Sequence, residues 1–269
     1  MRNSILTRLG VVTLLASLAA CADSNAPAAT VSEAMLTADA ANDAGQAAAM
    51  DVVQMTAGEL DAGVPSGVAA SQPGNSACTW SAGTGRFVCP TVTTPEGLVL
   101  DRSFAYFAGG AAQQSYDAAA TDSINFQWAL AGSMSANGRT AWVNATRSST
   151  VSGLAGKETQ RSWSGSGART DSALVQSDSR TRRTKVVASS VVNAVVFRLP
   201  RSTYPYPQSG TITHDVTLTS QFEGATGSNA RTATRHVVVT FDGTRTAKMT
   251  VGTTSCTLDL VTRAVSCGQ

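Results

Sequence analysis

The 269-residue sequence contains only two histidines, and between Ala22 and Gly85 it has no lysine or arginine. His214 and His236 both fall inside predicted strands, and the sequence brings no nucleophile to either of them. His214 and Asp215 are neighbours on one strand, so their side chains should point to opposite faces and cannot act as a base and its orienting acid. The sequence also lacks a phosphate loop and a nucleophile elbow. We therefore predict no enzymatic activity, no cofactor or metal, and no nucleic-acid partner.

A long apolar segment is missing as well, because the apolar run from Leu9 to Leu18 is shorter than the roughly 20 residues that cross a bilayer. With two arginines before it and Ala19-Ala20 after it, this run has the pattern of an export signal over residues 1–20. The tetrapeptide Leu18-Ala19-Ala20-Cys21 resembles the lipobox of bacterial lipoproteins. The resemblance covers these first 21 residues and nothing after them.

The resemblance implies cleavage before Cys21, a diacylglycerol on its sulfur and an acyl chain such as palmitate on its new amino group. A single acyl chain gives only marginal, reversible membrane binding, and two signals already anchor a protein stably. The full set of acyl chains on Cys21 should therefore anchor the protein firmly. In enteric members of this class, a residue other than aspartate after the cysteine, here Ala22, implies sorting to the outer membrane. We thus expect a protein of the bacterial cell envelope, at the outer membrane, that contacts the membrane through its lipid anchor.

The charged residues divide the mature chain into two parts. Residues 22–85 contain seven acidic residues and no basic one, whereas residues 86–269 contain 18 basic and 11 acidic residues. This asymmetry, together with the composition, predicts a boundary just before Cys78. The predicted regions are an export signal at 1–20, a lipid-anchored tether at 21–77 and a β domain at 78–269.

The predicted tether is dominated by alanine, glycine, serine and aspartate, and bulky apolar residues are too sparse in it to form a core. Ser32 can cap a helix that starts at Glu33, and good helix formers follow between Ala47 and Met55. The composition and three prolines favour a flexible stalk instead. We therefore expect an acidic, alanine-rich tether with at most a short helix within residues 32–57.

Two stretches at the ends of the β domain have the same length and the same cysteine spacing, Cys78 to Cys89 and Cys256 to Cys267. Four cysteines in an exported protein favour two disulfides, with three connectivities open. If each stretch is a hairpin with a two-residue loop, each cysteine lies opposite its local partner. We expect these local bonds rather than a redox or metal site, which favours Cys-x-x-Cys spacing. The large apolar pairs next to the sulfurs would be Trp80 with Phe87 and Leu258 with Val265.

Between the two hairpins, short alternating segments joined by turns predict an antiparallel meander. From Thr211 to Phe222 the apolar residues share one face, as in a half-buried strand. The apolar residues from Val237 to Phe241 and from Ala247 to Val251 must also share a face, which requires an odd number of loop residues between the strands. We expect three, with Gly243 in the left-handed region. The predicted fold class is all-β: an antiparallel meander that forms a curved open sheet, a half-barrel or a barrel-like sandwich.

Basic residues are concentrated in the middle of the β domain, with 11 basic and three acidic residues from Arg139 to Arg201. Such a stripe can contact anionic lipid, lipopolysaccharide or acidic glycan. It can equally keep the exposed face and edges of a sheet soluble. The residues of this possible anionic-ligand patch that lie closest together are Arg180, Arg182, Arg183 and Lys185.

Two classes of function fit these features. The first is a non-catalytic, lipid-anchored envelope protein that presents a disulfide-stapled β scaffold for a structural or binding role. The second is a carrier or chaperone of lipids or lipoproteins, whose curved sheet encloses an apolar cavity of roughly several hundred Å³. An envelope enzyme of unknown class comes third. The cavity of the carrier would be lined by side chains such as Trp128, Trp142, Val195 and Phe197.

Overall fold

The computed structural model describes residues 30–61, 78–136, 139–156, 158–177, 180–224 and 227–268. Cys21 and the predicted export signal lie outside these residues. Within them the chain forms one helix, α1 (Glu33–Asp61), followed by 14 strands. The strands are β1 (Thr79–Ser81), β2 (Arg86–Val88), β3 (Val92–Thr93), β4 (Val99–Ala108), β5 (Ala111–Gln113), β6 (Ser123–Ala136), β7 (Arg139–Ser152), β8 (Gln160–Ser177), β9 (Arg180–Arg198), β10 (Ser209–Gly224), β11 (Gly227–Thr240), β12 (Thr246–Val251), β13 (Thr254–Asp259) and β14 (Val265–Cys267).

All the strands belong to one antiparallel sheet, in which strands that are consecutive in the chain are mostly neighbours in space. The order is β1-β2-β4-β6-β7-β8-β9-β10-β11-β12-β13-β14, and β3 and β5 also pair with β4. β1 and β14 lie at opposite ends of this order, so the sheet is open. The predicted all-β antiparallel meander is confirmed, and it forms an open sheet rather than a closed barrel.

One face of the sheet, here called the inner face, is covered by α1, and the opposite face is here called the outer face. In β10 the side chains of Ile212, Val216 and Leu218 are buried on the inner face, as the alternation of the sequence predicts. Opposed residues share a face, so Leu218 lies beside Val186, which lies beside Asp171. The buried inner residues and the buried side of α1 together form a single hydrophobic core.

The alternation in β9 changes phase once. Val192 and Val195 are both buried although they are three residues apart, and Asn193 and Ala194 between them are exposed. Ala194 has a φ of 46°, and the pairing with β8 shifts at the same place. This is a β-bulge, which adds one residue to the strand and turns the following side chains over. It keeps Val195 and Phe197 in the core.

The connection between β11 and β12 has an odd number of residues, as the sequence predicts. Val237 lies opposite Val251 and Val239 lies opposite Met249, so the apolar residues of both strands share the inner face. Gly243 has a φ of 87°, in the left-handed region. The loop runs over residues 241–245 and is longer than the expected three residues, because the strand pairing stops at Thr240.

A disulfide-bonded hairpin lies at each end of the open sheet. The bonds are Cys78–Cys89 and Cys256–Cys267, the two local pairings expected from the sequence. Neither hairpin has the expected two-residue loop, because the strand pairing ends earlier, at Ser81 in the first hairpin. The apolar pairs beside the sulfurs lie opposite each other as predicted, Trp80 with Phe87 and Leu258 with Val265.

Helix α1 is the main departure from the sequence-based expectation. It has 29 residues, and Ser32 caps it by accepting a hydrogen bond from the Met35 backbone N–H at 3.1 Å. The expected flexible stalk with at most a short helix is therefore wrong for residues 33–61. In the described part of the chain no helix is both long and apolar enough to cross a bilayer. The buried side of α1 consists of Leu36, Ala40, Ala41, Ala44, Ala48, Ala49, Val52 and Met55.

This buried side explains why the sequence alone underestimates the helix. Alanine removes little apolar surface from water when it is buried, so an alanine-rich segment looks too weak to hold a core. Most of the stability of a helix in a protein comes from packing of one face against a partner. Here the inner face of the sheet is that partner, and the small side chains of α1 let the two approach closely.

Candidate functional site

The acidic side of α1 lies against arginines on the inner face of the sheet. Asp39, Asp43 and Asp51 are spaced by four and eight residues, which places them on one side of the helix. Their partners come from three different strands, and a fourth strand binds the start of the helix. The acidic and basic parts of the sequence therefore neutralise each other within the molecule. These ion pairs, here called the charge ladder, are Asp39–Arg182, Asp43–Arg169, Asp51–Arg147 and Glu33 with Arg231 and Arg235.

The pair of Asp51 and Arg147 is deeply buried, with side chains that are only 6% and 9% exposed. Arg147 donates to both carboxylate oxygens of Asp51 and to the hydroxyl of Ser190. A guanidinium that binds two acceptors fixes orientation as well as charge. Removing one partner of a buried pair leaves an uncompensated charge, whereas replacing both with apolar residues is often neutral. The pair therefore determines where α1 lies more than it adds net stability.

Arg169 is shared between two carboxylates. It donates to Asp43 of α1 and, at 3.0 Å, to Asp171, two residues further along β8. The Oδ1 atom of Asp171 is buried and has no hydrogen-bond partner among the described residues. Burial raises the pKa of Asp171 to about 6, because it outweighs the opposite effect of Arg169, and Asp43 raises this pKa further. One guanidinium thus serves two negative groups.

His214 is buried in the same region, beside Ser190 of the neighbouring strand. Burial, together with Arg169 and Arg147, lowers the pKa of His214 to about 3, so the imidazole is neutral at physiological pH. Its Nε2 atom has no hydrogen-bond partner within the described ranges. The Ser190 hydroxyl binds Arg147 and the carbonyl of Gly167 instead of the histidine. The two side chains therefore do not form a nucleophile and its base.

The second histidine lies on the outer face. His236 Nδ1 is 2.8 Å from Asp215 Oδ1, and these side chains are 60% and 64% exposed. Ser189 lies opposite Asp215 on the other side, so the aspartate stands between the serine and the histidine. A serine hydrolase needs the histidine between the other two groups. The row is thus in the wrong order for a catalytic triad.

The basic patch expected from the sequence does not form one surface. Arg182 lies on the inner face, where it is bound to Asp39 and covers the ring of Phe222. Arg183 and Lys185 are exposed on the outer face. Arg180 has the same parity along β9 as Arg182 and is half-buried. The four residues alternate in side because they lie on one strand, and contact of Arg183 and Lys185 with an anionic ligand stays a prediction.

The residues expected to line a carrier cavity do not share one. Val195 and Phe197 are fully buried in the core, while Trp142 is 46% exposed on the outer face. Trp128 lies on the inner face, opposite Arg147. Three cavities, of about 100 Å³, about 50 Å³ and about 30 Å³, lie between α1 and the inner face. Helix α1 occupies the space that the carrier hypothesis assigns to a lipid.

The charge ladder was not predicted from the sequence, although two signals point to it. Arg169 has the same parity as Ala173 and Val175, and Arg235 has the same parity as Val237, so both arginines stand among residues of an apolar face. An arginine placed inward on a strand needs a buried acidic partner. The segment that lacks basic residues supplies those partners.

Metal-binding groups are scattered. No group of three or more histidine, cysteine, aspartate or glutamate side chains that could hold a metal ion occurs in the part of the chain that the structure describes. No protein-family model matches the chain, and neither a curated protein nor a solved structure shows significant similarity to it.

Proposed function

We propose that this protein is a non-catalytic, lipid-anchored protein of the bacterial cell envelope, in which a disulfide-stapled sheet backed by α1 serves as a structural or binding scaffold. One observation carries the proposal: α1 fills the inner face and is fixed there by the charge ladder. The inner face is therefore occupied by the protein's own chain. The outer face is the surface left for a partner.

The outer face has the character of a solvent-exposed scaffold surface. Its strands carry short hydroxyl side chains that bond to each other across the strands, Thr217 with Thr234 at 3.0 Å and Thr219 with Thr232 at 2.8 Å. Such cross-strand pairs stabilise a sheet while leaving it polar. The exposed ring of Trp142 is one large apolar group on this face.

The filled inner face favours the scaffold over the carrier. Ligand pockets for molecules of lipid or drug size have volumes of roughly 300–1,000 Å³ and bury most of the ligand. The cavities beneath α1 have about 100 Å³, about 50 Å³ and about 30 Å³. An acyl chain would have to displace α1 and expose the buried ion pairs, which is costly.

The lipid anchor is supported by the lipobox-like tetrapeptide that ends at Cys21 and by the two disulfides, which persist in oxidising compartments. We expect membrane fractionation to recover the wild-type protein with the membranes and the Cys21→Ser variant in the soluble fraction. The double variant Cys78→Ser/Cys89→Ser is the matched control, because it loses a disulfide and keeps the anchor. A Cys21→Ser protein that still sediments with membranes would contradict the anchor.

Native mass spectrometry of the wild-type protein, with the detergent removed in the gas phase, distinguishes the scaffold hypothesis from the carrier hypothesis. The scaffold predicts one species with only its covalent acyl chains. A non-covalently bound lipid that survives in a one-to-one ratio would support the carrier instead.

A further inference from the structure

Strand β11 extends well beyond the strand that pairs with it on the side away from β10. β10 pairs with all of β11, from Gly227 to Thr240, whereas β12 pairs only with residues 237–240. Within the described residues, positions 227–235 therefore form an open edge of the sheet, here called the β11 edge. Most residues of this edge are exposed, and Ala233 and Arg235 are half-buried.

One hydrogen bond shows which backbone groups point outward at the β11 edge. The Gly252 backbone N–H donates to the His236 carbonyl at 3.0 Å, so His236 turns its backbone polar groups away from β10. Along a strand these groups alternate in direction, so every second residue towards the hairpin tip does the same. In the part of the chain that the structure describes, they accept one hydrogen bond, from the Arg235 side chain to the Thr234 carbonyl at 2.8 Å. The outward-facing residues of the edge are Thr234, Thr232, Ala230 and Ser228.

The β11 edge lacks most features that prevent a strand from pairing with another chain. Natural edges are protected by proline, lysine, bulges or inward-pointing charges. Residues 227–235 contain no proline or lysine, and their pairing with β10 has no register shift. The inward-pointing charges are Arg231 and Arg235, and Glu33 binds both of them. Their positive charge is therefore offset, and the edge can accept another strand.

Pairing of this edge with the same edge of a second copy is restricted to a few registers. In an antiparallel pair, outward-facing residues must oppose outward-facing residues, so a twofold axis can pass through Ala230, Arg231 or Thr232. An axis at Arg231 places two arginines directly opposite each other, which is destabilising. An axis at Thr232 places Gly227 of the second copy opposite Val237, a position that β12 already occupies. Ala230 is the axis that meets neither obstacle.

We propose that the β11 edge pairs with the β11 edge of a second copy, in an antiparallel dimer with its twofold axis at Ala230. Ser228 then lies opposite Thr232 of the second copy, and Asn229 lies opposite Arg231, so no like charges are opposed. The three outward-facing pairs each exchange two backbone hydrogen bonds, about six in all. The two sheets join into one continuous sheet.

The same register leaves room for the neighbouring strand. Gly227 of the second copy lies opposite Ala233, and Gly252 lies opposite His236, so the hairpin of the second copy stops before β12. An interface formed by two short strand edges is small, and small interfaces are typical of transient complexes. We therefore expect a weak dimer whose population rises with protein concentration.

The variant Ala230→Cys tests the position of the axis in the full-length lipidated protein in detergent micelles. The two Cα atoms at the axis are about 5.5 Å apart, within the range of a disulfide. Oxidation with copper phenanthroline should give a covalent dimer in non-reducing gel electrophoresis. Thr234→Cys is the matched control, because it is exposed on the same edge but its two copies lie about 27 Å apart. Equal cross-linking of both variants, or none of Ala230→Cys, would overturn the proposal.

The variant Ala230→Pro tests the backbone hydrogen bonds. Proline removes an N–H that has no partner among the described residues of its own chain, so the sheet should remain intact. Light scattering over a concentration series should show a monomer–dimer equilibrium for the wild type and at least tenfold weaker association for Ala230→Pro. Ala230→Ser keeps the N–H and should dimerise as the wild type does. A wild type that stays monomeric throughout, or that forms larger assemblies, contradicts the dimer; if Ala230→Pro does not fold, Ala230→Cys decides.

Hydrogen exchange distinguishes the second copy from other occupants of the edge. The amides of Ser228, Ala230 and Thr232 should exchange rapidly in dilute protein and more slowly as its concentration rises. Slow exchange at every concentration would mean that the chain covers its own edge. Protection that appears only with a different, co-purified polypeptide would assign the edge to another partner. Either result would overturn the proposal.

Discussion

The two faces of the sheet are built from the same alternating strands but are stabilised in different ways. The inner face combines apolar side chains with arginines that are bound to a helix. The outer face carries pairs of threonines that bond to each other across the strands, exposed apolar side chains such as Trp142 and Val191, and a solvent-exposed histidine–aspartate pair. A charge on the inner face therefore depends on one specific partner, while a charge on the outer face can be replaced by water.

This difference leads to the largest expected effect. Asp51→Leu removes the partner of buried Arg147 and should lower the free energy of unfolding by about 3–5 kcal/mol. Restoring neutrality with the double variant Asp51→Leu/Arg147→Met should recover most of that loss. Equilibrium unfolding in urea measures both values. The outer-face control, Asp215→Ala, should change the free energy by less than about 0.5 kcal/mol, and a similar loss there would remove the distinction between the faces.

A pH titration sharpens the same contrast. The folded-state pKa of Asp171 is raised to about 6, so between about pH 4 and pH 6 the folded protein binds more protons than the unfolded chain. Ionisation of buried Asp171 therefore does not lower the free energy of unfolding below about pH 4, and it lowers this free energy by up to about 3 kcal/mol above pH 6. Asp171→Asn should remove this decrease of stability with rising pH, as measured by urea midpoints from pH 4 to pH 8. A stability that still falls with rising pH in Asp171→Asn, as in the wild type, would contradict this assignment.

Removal of a disulfide at either end of the sheet should cause the next largest loss in the free energy of unfolding. Each disulfide closes a loop with a sequence separation of 11 residues. Replacing Cys256 and Cys267 together with serine should cost about 2–3 kcal/mol by loop entropy. The corresponding change at Cys78 and Cys89 should cost about the same, since the spacing is identical. Peptide mapping without reduction provides the check on connectivity, and a peptide that joins the two hairpins would contradict the local pairing.

The smallest expected effect tests how closely α1 approaches the inner face. A Cβ atom at Gly45 would lie 2.5 Å from Cγ2 of Val265, too close without a shift of that side chain. Gly45→Ala should therefore destabilise by about 1 kcal/mol, although glycine to alanine in an exposed helix stabilises by about 1 kcal/mol. Ala38→Gly, at an exposed position of α1, measures the propensity effect alone. A stabilised Gly45→Ala protein would mean that α1 does not pack against β14.

The sheet could be predicted because each clue was local. The alternation from Thr211 to Phe222 gave the buried face of a strand directly, and the parity of Val237 and Val251 required an odd loop. The identical cysteine spacings gave the register of both end hairpins. Loop lengths were less accurate, because strand pairing can stop early without changing the register.

The helix and the site could not be predicted in the same way, because their clues are divided between distant parts of the chain. Asp51 looks like an ordinary acidic residue of a polar segment until Arg147 is known to point inward. Closeness along the chain suggested one patch of Arg180, Arg182, Arg183 and Lys185, because the faces of these residues were not considered. Had parity been applied to the arginines as it was to the valines, the inner face would have revealed unpaired positive charge and the need for an acidic cover.

The position of α1 in the chain has a consequence for the order of folding. The partners of the helix follow it by 96 residues at Arg147, by 143 at Arg182 and by 202 at Arg235. The meander can form hairpin by hairpin through local contacts, whereas docking of α1 closes very long loops and has to wait for the strands. During synthesis the helix emerges first, and it docks last. Until α1 docks, the inner face of the sheet exposes apolar side chains and unpaired arginines. At this stage, binding to chaperones and aggregation compete with folding.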